Sequence, residues 1–344
     1  MIKKAIAKLV ERQDLTEAEA QSAMNQIMEG EATNAQIGAF LAAMRLKGET
    51  VAELVGCARA MRASAVKVVC QQTDLVDTCG TGGDSTGTFN ISTLVALVAA
   101  GAGLTVAKHG NRSVSSQCGS ADLLEALGVN IDLGPEEIAR CIDTVGIGFL
   151  FAQRLHPAMK NVAVPRRELG IRTIFNVLGP LTNPASANIQ LLGVYNPDLT
   201  EPLAQVLRTL GIKRALVVHG HDGLDELSTT GINKVTRLND GKINTFELDP
   251  ASLGLPLVSL EELKGGPVEE NVHITMQVLL RGDKGPRRDI VLLNAAAIMV
   301  AAGKAADFNS GLAIARESLD SGQALKKLEE LIRLSQRLAV KHAK

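Results

Sequence analysis

From about residue 74 onward, short β-rich runs alternate with helical stretches, and this alternation limits the possible folds more than any other feature. Residues 75–77, 104–107, 189–195 and 215–219 read as strands, interleaved with helical patterns over 91–102, 121–127, 135–145 and 199–210. Such a chain lays its strands in one sheet with helices on the faces, so an α/β architecture is expected. Residues 234–247, centred on Asn239-Asp240-Gly241, predict a hairpin. Three helices over 289–302, 310–319 and 323–338 close the chain.

The first 65 residues follow a different pattern. Thr16-x-x-Glu19, Thr33-x-x-Gln36 and Thr50-x-x-Glu53 are three successive capping boxes, each satisfying orphan amide donors at a helix start. Gly30 and Gly48 are placed to stop the helices between them. Ile37, Phe40, Leu41 and Met44 fall at i, i+3, i+4 and i+7, an apolar helix face that suits either core or a subunit interface. The stretch 154–184, rich in Pro, Gly and Arg, is expected to connect or reach back to this helical unit. At roughly 150 residues per domain, 344 residues suggest about two domains. We place them at 1–70, with a contribution from about 160–185, and at 71–344.

Composition narrows the function. Lys and Arg number 36 against 37 Asp and Glu, a net charge of −1, and the chain has one Tyr, seven Phe and no Trp. Nucleic-acid binders need excess cations and stacking surfaces, so no nucleic-acid partner is expected. Cys57, Cys70, Cys79, Cys118 and Cys141 are odd in number and form no CxxC pair, unlike a disulfide framework or zinc cluster. Residues 1–4 run straight into an amphipathic pattern without a signal peptide's apolar stretch. The most apolar run, 94–103, is about half of a membrane span. A cytoplasmic enzyme or small-molecule binder, with no membrane partner, is the expectation.

Four segments could carry chemistry. The first runs Asp77-Thr78-Cys79-Gly80-Thr81-Gly82-Gly83-Asp84-Ser85-Thr86-Gly87-Thr88-Phe89-Asn90-Ile91-Ser92-Thr93: strand, glycine-rich loop, helix start. Glycines let main-chain amides close on an anion, and a helix N-terminus adds donors. Thr88 stands where a P-loop needs Lys, and the third glycine of a dinucleotide fingerprint is missing. The second is Lys108-His109-Gly110-Asn111-Arg112-Ser113-Val114-Ser115-Ser116, followed by Gly119-Ser120, a polar loop after a strand and a second anion-site candidate. Two such loops suggest a ligand with two phosphate groups. The third is the acidic pair Asp225-Glu226 after the strand at 215–219; hard carboxylates beside phosphates suit Mg2+. The fourth runs from Arg154 and His156 through Lys160 to Arg166 and Arg167, where an Arg fork can read a carboxylate. These residues imply a Mg2+-assisted enzyme acting on a phosphorylated or diphosphate-bearing substrate, and leave its acceptor open.

Together the segments resemble anthranilate phosphoribosyltransferase. The resemblance rests on Gly80-Thr81-Gly82-Gly83-Asp84, Asn90-Ile91-Ser92-Thr93, the run from Lys108 to Ser116, Gly119-Ser120-Ala121-Asp122 and Asp225-Glu226. It extends through His156-Pro157-Ala158-Met159-Lys160, Arg166 to Arg172, and Phe175 to Pro184, in order over residues 3–338. It implies a small N-terminal helical domain joined to a larger α/β domain, the nucleoside phosphorylase/phosphoribosyltransferase type, and a homodimer through the helical domain. The implied reaction, in tryptophan biosynthesis, moves the phosphoribosyl group of 5-phosphoribosyl 1-diphosphate to the amine of anthranilate and releases pyrophosphate.

Carried over residue by residue, the resemblance assigns Gly80, Gly83, Asp84, Thr88, Asn90, Ile91, Ser92 and Thr93 to the phosphoribosyl donor. Lys108, His109, Gly110, Asn111, Arg112, Ser113, Val114, Ser115, Ser116 and Ser120 complete that site. Gly80, Asn111 and Arg166 would meet anthranilate. Ser92, Asp225 and Glu226 would hold Mg2+, two ions per subunit. His109 and His156 are candidates for catalysis without an assigned role. Cys79 departs from the valine common at that position, a small swap. A pyrimidine nucleoside phosphorylase would differ in the loop at Gly110-Asn111-Arg112-Ser113. A non-catalytic nucleic-acid-binding paralogue would be basic and lack the acid pair or glycine loop.

Overall fold

The computed structural model describes residues 1–113, 117–280 and 284–339. Four helices come first: α1 (Ile2–Val10), α2 (Glu17–Met28), α3 (Asn34–Lys47) and α4 (Val51–Ser64). The last three open on their capping boxes, with Thr16, Thr33 and Thr50 accepting from the amides of Glu19, Gln36 and Glu53 at 3.3 Å. Gly48, at φ +89°, ends α3 in a conformation a side chain would resist. Ile37, Phe40, Leu41 and Met44 are at most 1% exposed. The stripe is core within one chain, and no part of it is left for a subunit interface.

The α/β part follows as β1 (Leu75–Asp77), α5 (Ile91–Gly101), β2 (Thr105–Gly110), α6 (Ser120–Ala126), α7 (Pro135–Val145) and β3 (Ile147–Phe151). Next come α8 (Ala152–Leu155), α9 (Lys160–Leu169), α10 (Phe175–Leu178), β4 (Ile189–Gly193), α11 (Thr200–Thr209) and β5 (Arg214–His219). The hairpin β6 (Asn233–Asn239) and β7 (Lys242–Leu248) precedes α12 (Val268–Leu279), α13 (Pro286–Ala301), α14 (Phe308–Asp320) and α15 (Gln323–Ala339).

The seven strands form one sheet in the order β3-β2-β1-β4-β5-β6-β7. The first five are parallel, and the hairpin strands run antiparallel at one edge. The chain moves outward from β1 to β3, then returns to the other side of β1 for β4 and β5. That reversal is a topological switch point, where ligands sit beyond the carboxyl ends of strands.

Several elements were not foreseen, among them α8, α9 and α10 within a stretch read only as a connection, and β3 and α12. β3 is buried at all five positions, so it lacks the alternation of a half-exposed strand and merges with the apolar positions of α7 before it. α12 starts behind Gly265-Gly266-Pro267, a sequence that reads as loop. β2 also runs to Gly110, which puts Lys108 and His109 on a strand rather than in the loop beyond it.

One apolar cluster fills one side of the sheet, around α5, α13 and α15. A second joins Phe40, Met44 and Leu54 of the first helices to Val162 of α9, Leu203 of α11, and Leu192 and Val217 of the sheet. The stretch after α8 thus reaches back to the helical unit, where α9 packs on α2 and α3. Among the described residues no helix is long and apolar enough to cross a membrane.

Candidate active site

A cavity of about 1120 Å3 lies beyond the carboxyl ends of β1, β2, β3 and β5, with Met61 of α4 and Lys160 and Arg166 of α9 on its opposite wall. The glycine loop after β1 forms one side. Gly82, Gly83, Ser85 and Gly87 all have positive φ, 61 to 75°. This conformation keeps the segment out of the sheet. The amides of Gly80, Gly83, Asp84 and Ser85 donate to no described residue. Unpaired amides clustered at and beside left-handed positions make an anion cradle.

The loop is fastened at its base, where Thr81 donates its amide to the Gly193 carbonyl at 2.9 Å and Gly82 donates to Asp225 Oδ2 at 2.6 Å. Thr88 pairs with Lys264 in an isolated antiparallel bridge. Thr88, Asn90 and Ser92 line the cavity. Ile91 and Thr93 do not: both side chains are at most 1% exposed, and their amides are taken by the carbonyls of Phe89 and Asn90. They face the core as α5 begins.

The second wall comes from β2 and the loop after it. Lys108, 3% exposed, donates from Nζ to the Thr78 carbonyl at 3.2 Å and Ser92 Oγ at 3.1 Å. The His109 amide donates to Asp77 Oδ1 at 3.2 Å, and Asn183 Nδ2 donates to Asp77 Oδ2 at 2.8 Å. Gly110, Asn111, Ser113 and Ser120 line the cavity as well. Arg112 also lines it, but its guanidinium is held by Asp122 at 2.9 Å and Glu125 at 2.7 Å. Val114, Ser115 and Ser116 lie outside the described residues.

His109 and His156 meet in this cavity with ring centroids 5.2 Å apart. Burial, with His156 and Lys108 nearby, pushes His109 down to about 3, opposed weakly by the Gly179 backbone. Burial, then the charge of Lys67, pushes His156 down to about 4. Both imidazoles are neutral at pH 7. Among the described residues, neither ring nitrogen of His109, nor Nε2 of His156, has a well-aligned partner.

Asp225 and Glu226 follow β5 and share the cavity floor with Asp84 of the glycine loop, one ligand oxygen from each lying within 4.8 Å of the others. Burial, then like charge, raises both Asp225 and Glu226 above the usual carboxylate range. A divalent cation relieves that repulsion, and hard oxygens on three sides suit Mg2+. Two glycines make room for the group. A Cβ at Gly80 would sit 2.4 Å from Asp225 Oδ2, and one at Gly193 would sit 1.4 Å from the Asp225 carbonyl oxygen.

On the opposite wall Arg166 lies over the Phe175 ring at 5.2 Å, and burial lowers the guanidinium's affinity for its proton. It makes no ion pair among the described residues. Gly80 and Asn111, the other acceptor candidates, line the same cavity. Sequence reasoning did not place Asp84 with the acid pair, because that meeting is made by the fold. It gave Arg172 no role although the Arg166 to Arg172 run was singled out, and it passed over Gly193, and Gly265, Gly266 and Asn271 before and within α12. The Gly265-Gly266 pair was the one local signal available.

Family models match at both ends of this architecture: a glycosyl transferase family helical bundle domain over residues 3–65, and the α/β domain of that family over residues 72–325. An anthranilate phosphoribosyltransferase of Moorella thermoacetica is 57% identical over 332 residues, 96% of this chain and 98% of that protein. One of Acetivibrio thermocellus is 55% identical over 96% of each chain. The crystal structure of the Thermus thermophilus enzyme superposes with a TM-score of 0.92 at 45% identity, covering 96% of this chain and 99% of that one. The Saccharomyces cerevisiae enzyme in complex with 5-phosphoribosyl 1-diphosphate and Mg superposes at 0.90 and 29% identity, over 98% of each.

Proposed function

This chain belongs to the anthranilate phosphoribosyltransferase family, and from that membership we infer that it transfers the phosphoribosyl group of 5-phosphoribosyl 1-diphosphate to the amine of anthranilate. The observation that carries the reading is one cavity holding the Asp84, Asp225 and Glu226 carboxylates together with glycine-loop amides and an arginine that have no hydrogen-bond or ion-pair partner, respectively, among the described residues.

In this reading the loop amides and the start of α5 hold the donor's phosphates, with the Lys108 ammonium behind them. Asp225, Glu226 and Ser92 would hold Mg2+, two ions per subunit, with Asp84 added to the set. The bound metal supplies positive charge to the diphosphate as it leaves. Arg166, with Asn111 and the Gly80 backbone, grips anthranilate's carboxylate and aims its amine at the ribosyl carbon. The C–O bond to diphosphate breaks with its electron pair on the leaving oxygen, and the amine lone pair makes the new C–N bond. The nitrogen is then an aromatic ammonium, far more acidic than an aliphatic one, so a weakly basic neutral imidazole suffices to accept its proton. His109 and His156, neutral and on the cavity wall, are the candidates for that role in this reading. Because anthranilate's amine is uncharged near pH 7, orientation supplies most of the acceleration.

We assign residues 1–70, together with about 160–185, to a helical domain and 71–344 to the donor-binding domain; the packing of α9 on α2 and α3 supports this division. A homodimer through the helical domain and a cytoplasmic location complete the reading. The five free thiols suit a reducing compartment. Anthranilate fluorescence tests the whole: it should fall only with both the donor and Mg2+ present, and stop on chelation. Phosphate-dependent cleavage of uridine or thymidine without anthranilate turnover would move the protein to the nucleoside phosphorylases.

A further inference from the structure

Arg172 follows α9 on the segment that carries Arg166, and it crosses the cavity wall to the glycine loop. Its Nη2 donates to the Gly83 carbonyl, and its guanidinium lies over the Tyr195 ring, 4.4 Å from the centroid. A Cβ built on Gly83 would stand 3.9 Å from Arg172 Nε, so the guanidinium packs against the loop at van der Waals distance. Gly82 and Gly83 are successive left-handed residues, where the peptide can turn over at little cost. A trans peptide is planar, with its C=O and the following N–H pointing opposite ways. Holding the Gly83 carbonyl therefore fixes the direction of the Asp84 amide, one of the loop's unpaired donors, and with it the backbone bearing the Asp84 carboxylate.

We propose that Arg172, stacked on Tyr195, is a positioning residue that fastens the apex of the glycine loop. It sets the Asp84 amide and carboxylate for the diphosphate end of the donor and its metal. It also links the acceptor segment to the donor loop, since Arg166 and Arg172 share one stretch of chain. The proposal rests on the functional reading for the identity of the donor, though its geometry does not.

The chain has one Tyr and no Trp, so its intrinsic emission comes from Tyr195 alone. In Arg172→Ala, acrylamide should quench that emission more strongly, because the ring loses its cover. Binding of Mg2+-pyrophosphate, followed by calorimetry, should weaken about tenfold, as should the donor KM, the scale of one charge-assisted hydrogen bond. The anthranilate KM should move less than about twofold, since Arg166 is untouched. Tyr195→Leu should reproduce the donor defect without adding to it in the double variant, and Tyr195→Phe should restore wild-type binding.

Unchanged quenching in Arg172→Ala would overturn the stack. A donor defect in Arg172→Ala with none in Tyr195→Leu would mean that the guanidinium touches the donor directly, which overturns positioning. Equal losses in both KM values with a fallen melting temperature would make the role structural and overturn the proposal as well. If the wild type fails to turn over anthranilate, the functional reading falls, while quenching and pyrophosphate binding still decide this one.

Discussion

At the residue scale the cavity separates two kinds of contact. Arg166→Ala should raise the anthranilate KM about tenfold or more, since a lost charge-assisted fork costs roughly 1.5–3 kcal/mol. The donor KM should barely move, and steady-state kinetics with each substrate varied will read the split. Asp225→Asn with Glu226→Gln should instead lower kcat and raise the Mg2+ needed for half-maximal rate. A donor KM that rises in Arg166→Ala, with the anthranilate KM unchanged, would remove Arg166 from the acceptor site. The histidines give a pH prediction. His109 and His156 titrate near 3 and 4 when folded and near 6.5 when unfolded, so the unfolded chain binds more protons between those values. Their contribution to stability is complete above about pH 6.5 and is lost as the pH falls toward 4. Buried Asp225 and Glu226, with raised values, act in the opposite sense over the same range, so the histidine effect is read as a difference: from pH 6.5 to 5 the wild type should lose more melting temperature than His156→Gln, and identical slopes would refute the assignment. Motif residues such as Gly80 and Lys108 were legible in the sequence because local chemistry demands them. Asp84 beside Asp225, and Gly193 under the Asp225 carbonyl, were not, because only the sheet brings those partners together.

At the scale of elements, capping boxes and hairpin turns were readable because their signals are local, with both partners within a few residues. β3 and α12 were missed for opposite reasons: one is too buried to alternate, and the other hides its start behind glycines. A third feature, tertiary yet seeded by a local motif, carries a prediction. Glu53, the third member of the Thr50 capping box, is fully buried and does more than cap α4. Its Oε1 accepts from the Leu15 amide at 2.9 Å, and its Oε2 meets Lys47 Nζ at 2.9 Å, with Asp14 on the same ammonium at 2.8 Å. One carboxylate thus ties the entry to α2, the end of α3 and the start of α4. Glu53→Ala should destabilise the chain by about 3 kcal/mol, because it removes the buried carboxylate from a lysine then held only by exposed Asp14 and the Gly48 carbonyl, and orphans the Leu15 amide. Glu53→Gln keeps the acceptor and should cost about half as much. Urea midpoints at constant slope measure both, and a Glu53→Ala midpoint equal to the wild type would sink the idea.

For the whole molecule, the apolar stripe of α3 offered a motive for dimerisation that folding removes, since Ile37, Phe40, Leu41 and Met44 are consumed by the chain's own core. A homodimer through the helical domain needs other apolar surface. Leu46 on α3 is 82% exposed and Val10 on α1 is 61% exposed, and these two helices pack against one another. Large apolar side chains left in water on one unit are what an interface core collects. Neither contributes to the internal core, so replacing them tests association without breaking the fold. Wild-type protein at micromolar concentration should scatter with twice the 36.3 kDa of one chain. Val10→Glu with Leu46→Glu should halve that mass, because buried like charges face each other across a two-fold interface. The double variant should keep its far-ultraviolet dichroism and its anthranilate turnover at high protein concentration, since every cavity residue named above comes from one chain. A wild type already monomeric and fully active would remove the dimer from the reading, and a double variant that stays dimeric would move the interface to another face of the helical unit.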